Sequence, residues 1–188
     1  MSTVGLVVVS HSRALARAAV ALAQEMVHGK QLRIAIAAGL DETTFGTDAT
    51  QIVDAIGSAD QGAGVVVLMD LGSAVLSAEL ALDLLDDDVR ERVVLCPAPL
   101  VEGLVVAAVA AAGGADTAEV VAEACSALAG KTSQLGSDTA VVAAPVVSDA
   151  LTGSFTVVNP HGLHARPAAR LVQELSLIHI SEPTRLRR

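Results

Sequence analysis

Four short apolar runs, each followed by a helix-like segment, govern what this chain can fold into. They are "VGLVVVS" (residues 4–10), "LRIAIAAG", "GVVVLMD" (residues 64–70) and "ERVVLCPA". All are rich in β-branched or other apolar residues, without the alternation of a strand that has one wet face. Such strands must be covered on both sides. Strict alternation with helices achieves this through a parallel sheet with right-handed crossovers. The expected fold is α/β, a doubly wound, mainly parallel sheet over residues 1–130.

The intervening segments carry helical spacing. Residues 14–27 place Leu15, Ala18, Ala19, Leu22 and Met26 on one face, which is expected to point inward. "TDATQIVDAIGSA" turns Ile52, Val53 and Ile56 toward the sheet. "SAVLSAELALDLL", an Ala/Val-rich helix after Val101 and a last helix over about residues 116–129 complete the set.

Beyond this domain the pattern changes. Residues 131–154 mix Gly, Ser, Thr, Ala and Pro without a helical or strand period and are expected to be a linker. Residues 155–175, "FTVVNPHGLHARPAARLVQEL", supply one strand, one loop and one helix, which is less than a domain. The tail, residues 176–188, has three arginines in four positions and continues no earlier pattern. It reads as non-native read-through, so the natural sequence is expected to be cut near Leu175.

Composition narrows the chemistry. Of 188 residues, 52% are apolar, enough for a sizeable core, but "PAPLVEGLVVAAVAAAGGA" is broken by Glu102 and by glycines and reads as a buried helix. The start has no basic flank or small-residue cleavage site, so no secretion signal is expected. Cys96 and Cys125 form no CxxC and read as small buried thiols, which fits a reducing cytoplasm. A net charge of −9 with no Trp or Tyr excludes a basic nucleic-acid footprint and aromatic sugar platforms. Catalysis is left to His, carboxylates, Ser and backbone amides.

In a parallel α/β sheet, chemistry gathers beyond the carboxyl ends of the strands. "VVVSHSRA" puts His11 there, and "MDLGSA" puts Asp70 at the tip of the third strand with Gly72 and Ser73 opening the next helix. In strand order 2-1-3-4 the first and third strands are neighbours, so His11 and Asp70 would face one crevice. A carboxylate on Nδ1–H fixes the imidazole tautomer and leaves Nε2 to attack a phosphoryl group in line. Ser10, Ser12, Ser73 and the helix amides would neutralise its oxygens. No carboxylate cluster or second nearby histidine suggests a metal. A plain helix-capping role for His11 stays open, and no GxSxG or GxGxxG motif is present.

Three segments in order, "GLVVVSHSRALARAAVALAQEM", "VVVLMDLGSAVLSAELALDLL" and "APLVEGLVVAA", resemble the DhaM family, the phosphotransferase subunits of phosphoenolpyruvate-dependent dihydroxyacetone kinases. The first domain of that family is similar to mannose-type enzyme IIA of the sugar phosphotransferase system. The resemblance places the phosphorylated histidine on His11, its supporting aspartate on Asp70 and the phosphate-side loop on Gly72 and Ser73. Glu102 and Gly103 are typical of the family, with no catalytic role assigned.

"NPHGLHARPA" resembles the active-site segment of the phosphocarrier HPr. Gly162 permits a tight turn and Pro167 suits a first helical turn. His164 would stand at the helix N-terminus, where amides and dipole favour a phosphoryl group, and Arg166 would supply a cationic fork for its oxygens. By resemblance His164 is phosphorylated on Nδ1, whereas His11 uses Nε2, and His161 is not the phosphorylated position. The HPr fold has four strands, so residues 155–175 hold only its beginning. A fragment of roughly 20–35 residues buries too little to offset its ordering entropy. This part is therefore expected to be poorly ordered and His164 to transfer weakly or not at all.

The resemblance implies a relay in which enzyme I and HPr donate phosphate to His11, which passes it to ADP held on the DhaL subunit and so to dihydroxyacetone on DhaK. It further implies a cytoplasmic homodimer with no cofactor, metal, nucleic acid or membrane partner. A mannose-type enzyme IIA serving a sugar permease, a chelatase of the sirohydrochlorin type and a regulatory module sensing phosphorylation remain alternatives. The chelatase would want a second metal-facing histidine, and His28 lies in a polar turn.

Overall fold

A computed structural model describes residues 2–27 and 32–136. The expected linker from residue 137 onward, the HPr-like segment with His161, His164 and Arg166, the tail, and His28 lie outside the described residues.

The elements alternate as the sequence implies: β1 (Gly5–Ser10), α1 (Arg13–Met26), β2 (Ile34–Ala38), α2 (Ala49–Ala59), β3 (Val65–Met69), α3 (Gly72–Asp83), α4 (Asp87–Arg90), β4 (Val93–Cys96), α5 (Leu100–Gly113), α6 (Thr117–Ser126) and α7 (Ala129–Gln134). The sheet runs β2-β1-β3-β4, and every neighbouring pair is parallel. The α/β doubly wound architecture expected from the sequence is the one observed.

The unbroken apolar strands have a direct structural cause. Leu6 and Val8 of β1 and Val66 and Leu68 of β3 pack into one layer with α1, α5 and α6. Their alternate neighbours Val7, Val9, Val65 and Val67 pack into the other layer, with α2 and α3. Each strand residue therefore meets a helix on one side or the other. Burial of these side chains contributes about 1.5–3 kcal/mol each against leaving them in water.

The helices meet this bulky sheet with alanine. Ala16, Ala19, Val20 and Ala23 form the buried stripe of α1, and Ala74, Ala78 and Ala81 that of α3. This corrects the inward face expected for α1: Leu15, Leu22 and Met26 are each more than 40% exposed, and Ala18 is exposed as well. Valine-lined strands fill the space beneath the helix, so small side chains let the backbones approach and the large ones rotate to the flanks. Ile52 and Ile56 of α2 are fully buried as expected, while Val53 is half-buried.

Two short helices carry no readable apolar stripe. α4 forms within "DDDVR", which the sequence reading left unassigned. α7 continues through residues 131–134, at the start of the expected linker, and its Lys131 ammonium pairs with the Glu102 carboxylate. The "PLVEG" segment thereby acquires structural roles. A Cβ on Gly103 would lie 2.7 Å from that of Ala98, so only glycine allows α5 to pack this closely. Among the described residues no helix is long and apolar enough to cross a membrane.

Candidate functional site

β1 and β3 lie side by side with Val9 paired to Met69, so the residues that follow leave the sheet together. The Asp70 amide donates to the Val9 carbonyl at 3.2 Å, extending the ladder one step past the strands. His11 and Asp70 thus emerge at one edge, as the strand order implied.

The Asp70 carboxylate gathers four donors. Its Oδ2 accepts from the Ser10 hydroxyl at 2.8 Å and from the His11 amide at 2.8 Å. Its Oδ1 lies 3.0 Å from His11 Nδ1 and accepts from the Leu71 amide at 2.7 Å. Burial works to raise the Asp70 carboxyl, since only 10% of the side chain is exposed. The bonds from the His11 amide, the His11 ring and the Ser10 hydroxyl outweigh burial and hold it below the usual carboxylate range. Asp70 is therefore an anion across the physiological range.

An anion at Nδ1 dictates the imidazole tautomer. Nδ1 carries the hydrogen and donates to Asp70, leaving the lone pair on Nε2. Ser73 Oγ sits 2.8 Å from Nε2, so its hydroxyl donates to that lone pair. The His11 side chain remains 24% exposed, open enough for a reacting group to displace one serine hydroxyl.

The helix starts add further donors. Leu71 caps α3 without a side-chain bond, and no acceptor among the described residues takes the Gly72 and Ser73 amides. A Cβ built on Gly72 meets nothing within 4 Å, so the space beside those amides is open. The three expected serines differ in what their hydroxyls already do. Ser10 is fully buried and committed to Asp70, while also accepting from the Ser12 amide at 3.1 Å. Ser12 caps α1 by accepting from the Leu15 amide at 3.3 Å. Of the three, only Ser73 has its hydroxyl on Nε2 of His11. No group of three or more potential metal ligands occurs among the described residues.

Other residues around the histidine gave no signal in the sequence. Arg13 Nε donates to the Ala38 carbonyl at 2.8 Å, tying α1 to the end of β2. Glu42 receives Arg17 through two bonds of 2.6 and 2.9 Å, and Arg13 through one of 3.3 Å. In the same loop the Gly46 amide donates to the His11 carbonyl at 3.0 Å. These contacts join residues about 25–35 positions apart, and no local pattern announces them.

Comparison with known proteins now bears on this geometry. A family model described as "PTS system fructose IIA component" (EIIA-man) matches residues 5–121, and one described as "PTS HPr component phosphorylation site" matches residues 151–184. The chain belongs to the EIIA-man family. All of that match except residues 28–31 lies among the described residues. Among curated relatives, a phosphoryl donor subunit DhaM of a PEP-dependent dihydroxyacetone kinase from Pantoea ananatis is 47% identical over 180 residues. The same subunit from Escherichia coli is 46% identical over 180 residues. Each alignment covers 92% of this chain but 38% of the relative, so the chain spans well under half the length of these proteins. A Listeria innocua DhaM, from a dihydroxyacetone kinase 2, is 38% identical over 106 residues, which is 56% of this chain and 84% of that protein. The family resemblance to DhaM read from the sequence is thus confirmed. A crystal structure of EF1359, described as a protein of unknown function, superposes on the IIA domain with a TM-score of 0.60 and 33% identity, covering 66% of this chain and 94% of that one.

Proposed function

We propose that this chain is a phosphohistidine relay in which Nε2 of His11 takes a phosphoryl group from a protein donor and gives it up to an acceptor. The observation that carries this is the pairing of Nδ1 with a half-buried, anionic Asp70, which leaves Nε2 as the only nucleophilic ring nitrogen. In the forward step the Nε2 lone pair attacks phosphorus in line as the donor's P–N bond breaks. The ring becomes cationic while Nδ1–H keeps its bond to Asp70, whose charge stabilises that form. Ser73 loses its acceptor when the lone pair is used, and its hydroxyl turns to a phosphoryl oxygen. The Gly72 and Ser73 amides serve the remaining oxygens, and the α1 start beyond Ser12 adds positive potential. Ser10 acts behind the carboxylate instead of on the phosphate. Reversal of the same step releases the group.

The relatives are named phosphoryl donor subunits of PEP-dependent dihydroxyacetone kinases, and the family resemblance extends this reading to a wider circuit. Enzyme I and HPr are the donors. ADP on DhaL is the acceptor, and DhaK carries dihydroxyacetone. His164 and Arg166, in the segment matched by the HPr model, are the positions that would carry phosphate in a complete HPr domain, and transfer through them is expected to be weak or absent in this chain. The protein works as a cytoplasmic homodimer without a cofactor or metal of its own. A second reading follows from the "fructose IIA" description of the family: His11 could instead serve a IIB protein of a sugar permease. Labelled phosphoenolpyruvate, enzyme I and HPr test both. Label should reach His11 and then DhaL-bound ADP, and should be lost in His11→Ala. Passage to a IIB protein and not to ADP replaces the first reading with the second.

A further inference from the structure

The chain has two cysteines, and the fold brings them together. Cys96 ends β4 and is 1% exposed, whereas Cys125 stands on α6 and is exposed, which corrects the expectation of two buried thiols. Their sulfurs are 4.0 Å apart, across 29 residues of sequence. β4 is the edge strand of the sheet, and α6 packs over it with Val120 and Ala124 buried. Cys125 follows Ala124, so its side chain leaves the buried stripe at the helix flank and reaches the strand end. One cysteine thus stands exposed while the other is packed in the apolar core.

We propose that Cys96 and Cys125 are a modification site, a thiol pair that a hydroperoxide oxidises to an intramolecular disulfide stapling α6 to β4. A disulfide is about 2.05 Å long, so the sulfurs, 4.0 Å apart, must close by roughly 2 Å, a movement assigned to the exposed Cys125 side chain and not to the packed Cys96. In the first step the Cys125 thiolate attacks the terminal peroxide oxygen. The O–O bond breaks, an S–O bond forms, and the departing alkoxide or hydroxide leaves as alcohol or water after taking a proton. In the second, the Cys96 sulfur attacks Cys125 sulfenic acid. The S–S bond forms, and the Cys96 proton leaves with the hydroxide as water. Two electrons pass from the sulfur pair to one peroxide, and a dithiol such as dithiothreitol reverses the change. Burial pushes the Cys96 thiol up, so Cys96 is poor at meeting the oxidant itself and suits the resolving role. The bond closes a loop containing all of α5 and restricts the unfolded chain.

The whole chain is treated with hydrogen peroxide, alkylated, digested and analysed by mass spectrometry, with thermal unfolding in parallel. The expected result is loss of both free thiols with two hydrogens, one linked peptide pair containing Cys96 and Cys125, and an unfolding midpoint raised by several degrees, all reversed by dithiothreitol. Cys125→Ser should leave Cys96 unoxidised under the same conditions, and Cys96→Ala should leave a Cys125 sulfenic acid that dimedone traps. Dimers linked through Cys125, or two thiols still alkylated separately after oxidation, would overturn the proposal. A linked species with a lowered midpoint would overturn the staple. The peptide mapping needs no variant, so it decides the question even if a substitution prevents folding.

Discussion

The buried hydroxyl of Ser10 donates to Asp70 Oδ2 at 2.8 Å, while the other carboxylate oxygen, Oδ1, meets Nδ1 of His11. One residue before the proposed nucleophile thus fixes the acid that fixes the nucleophile. Ser10→Ala should raise the Asp70 carboxyl toward its ordinary value and destabilise the domain by about 1.5–3 kcal/mol, the usual cost of losing a bond to a charged group. Relay should slow while Ser10→Thr keeps most of it. Carboxyl NMR titration with denaturant unfolding checks this.

Asp70→Asn asks more of the structure. Four donors converge on this side chain, and an amide must turn one of its own donors toward them. A loss of about 2–4 kcal/mol is expected, the range for breaking a charged hydrogen-bond network, along with slower phosphorylation of His11. Urea unfolding and label incorporation measure the two effects separately.

The acid limb of stability follows from the same group. The folded Asp70 carboxyl is depressed below its unfolded value of 3.8, so the folded state holds its proton less tightly. That contribution is fully present above the unfolded value and is lost as pH falls through the folded one. Stability should therefore decline below about pH 4. The decline should be shallower in Asp70→Asn, as measured by unfolding between neutral and strongly acid pH.

Ser73→Ala removes the hydroxyl from Nε2 without touching the core. Transfer should fall about 100–1,000-fold, the scale for deleting one donor to developing charge, with an unchanged unfolding midpoint. An equal loss of stability and activity would contradict the role given to Ser73.

The sheet, its strand order and the meeting of His11 with Asp70 were legible because each follows from local pattern plus topology. Parallel strands announce themselves by apolar runs, and order 2-1-3-4 makes neighbours of residues 59 apart. The buried face of α1 lies one residue's rotation from the one that hydrophobic size implies, because Val-lined strands select alanine. The commitment of Ser10 to Asp70 and the Arg13–Glu42–Arg17 cluster were not legible, since a hydroxyl or guanidinium finds its partner only in three dimensions. Cys125 is exposed, contrary to expectation, because composition alone does not say which flank of a helix a residue occupies.

The central claim rests on one nitrogen. Nitrogen–phosphorus correlated NMR on the chain phosphorylated by phosphoenolpyruvate, enzyme I and HPr reads it directly. The account predicts a P–N coupling to Nε2 of His11, with Nδ1 still protonated and bonded to Asp70. Phosphate on Nδ1 of His11, or no phosphate on His11 at all, would contradict it.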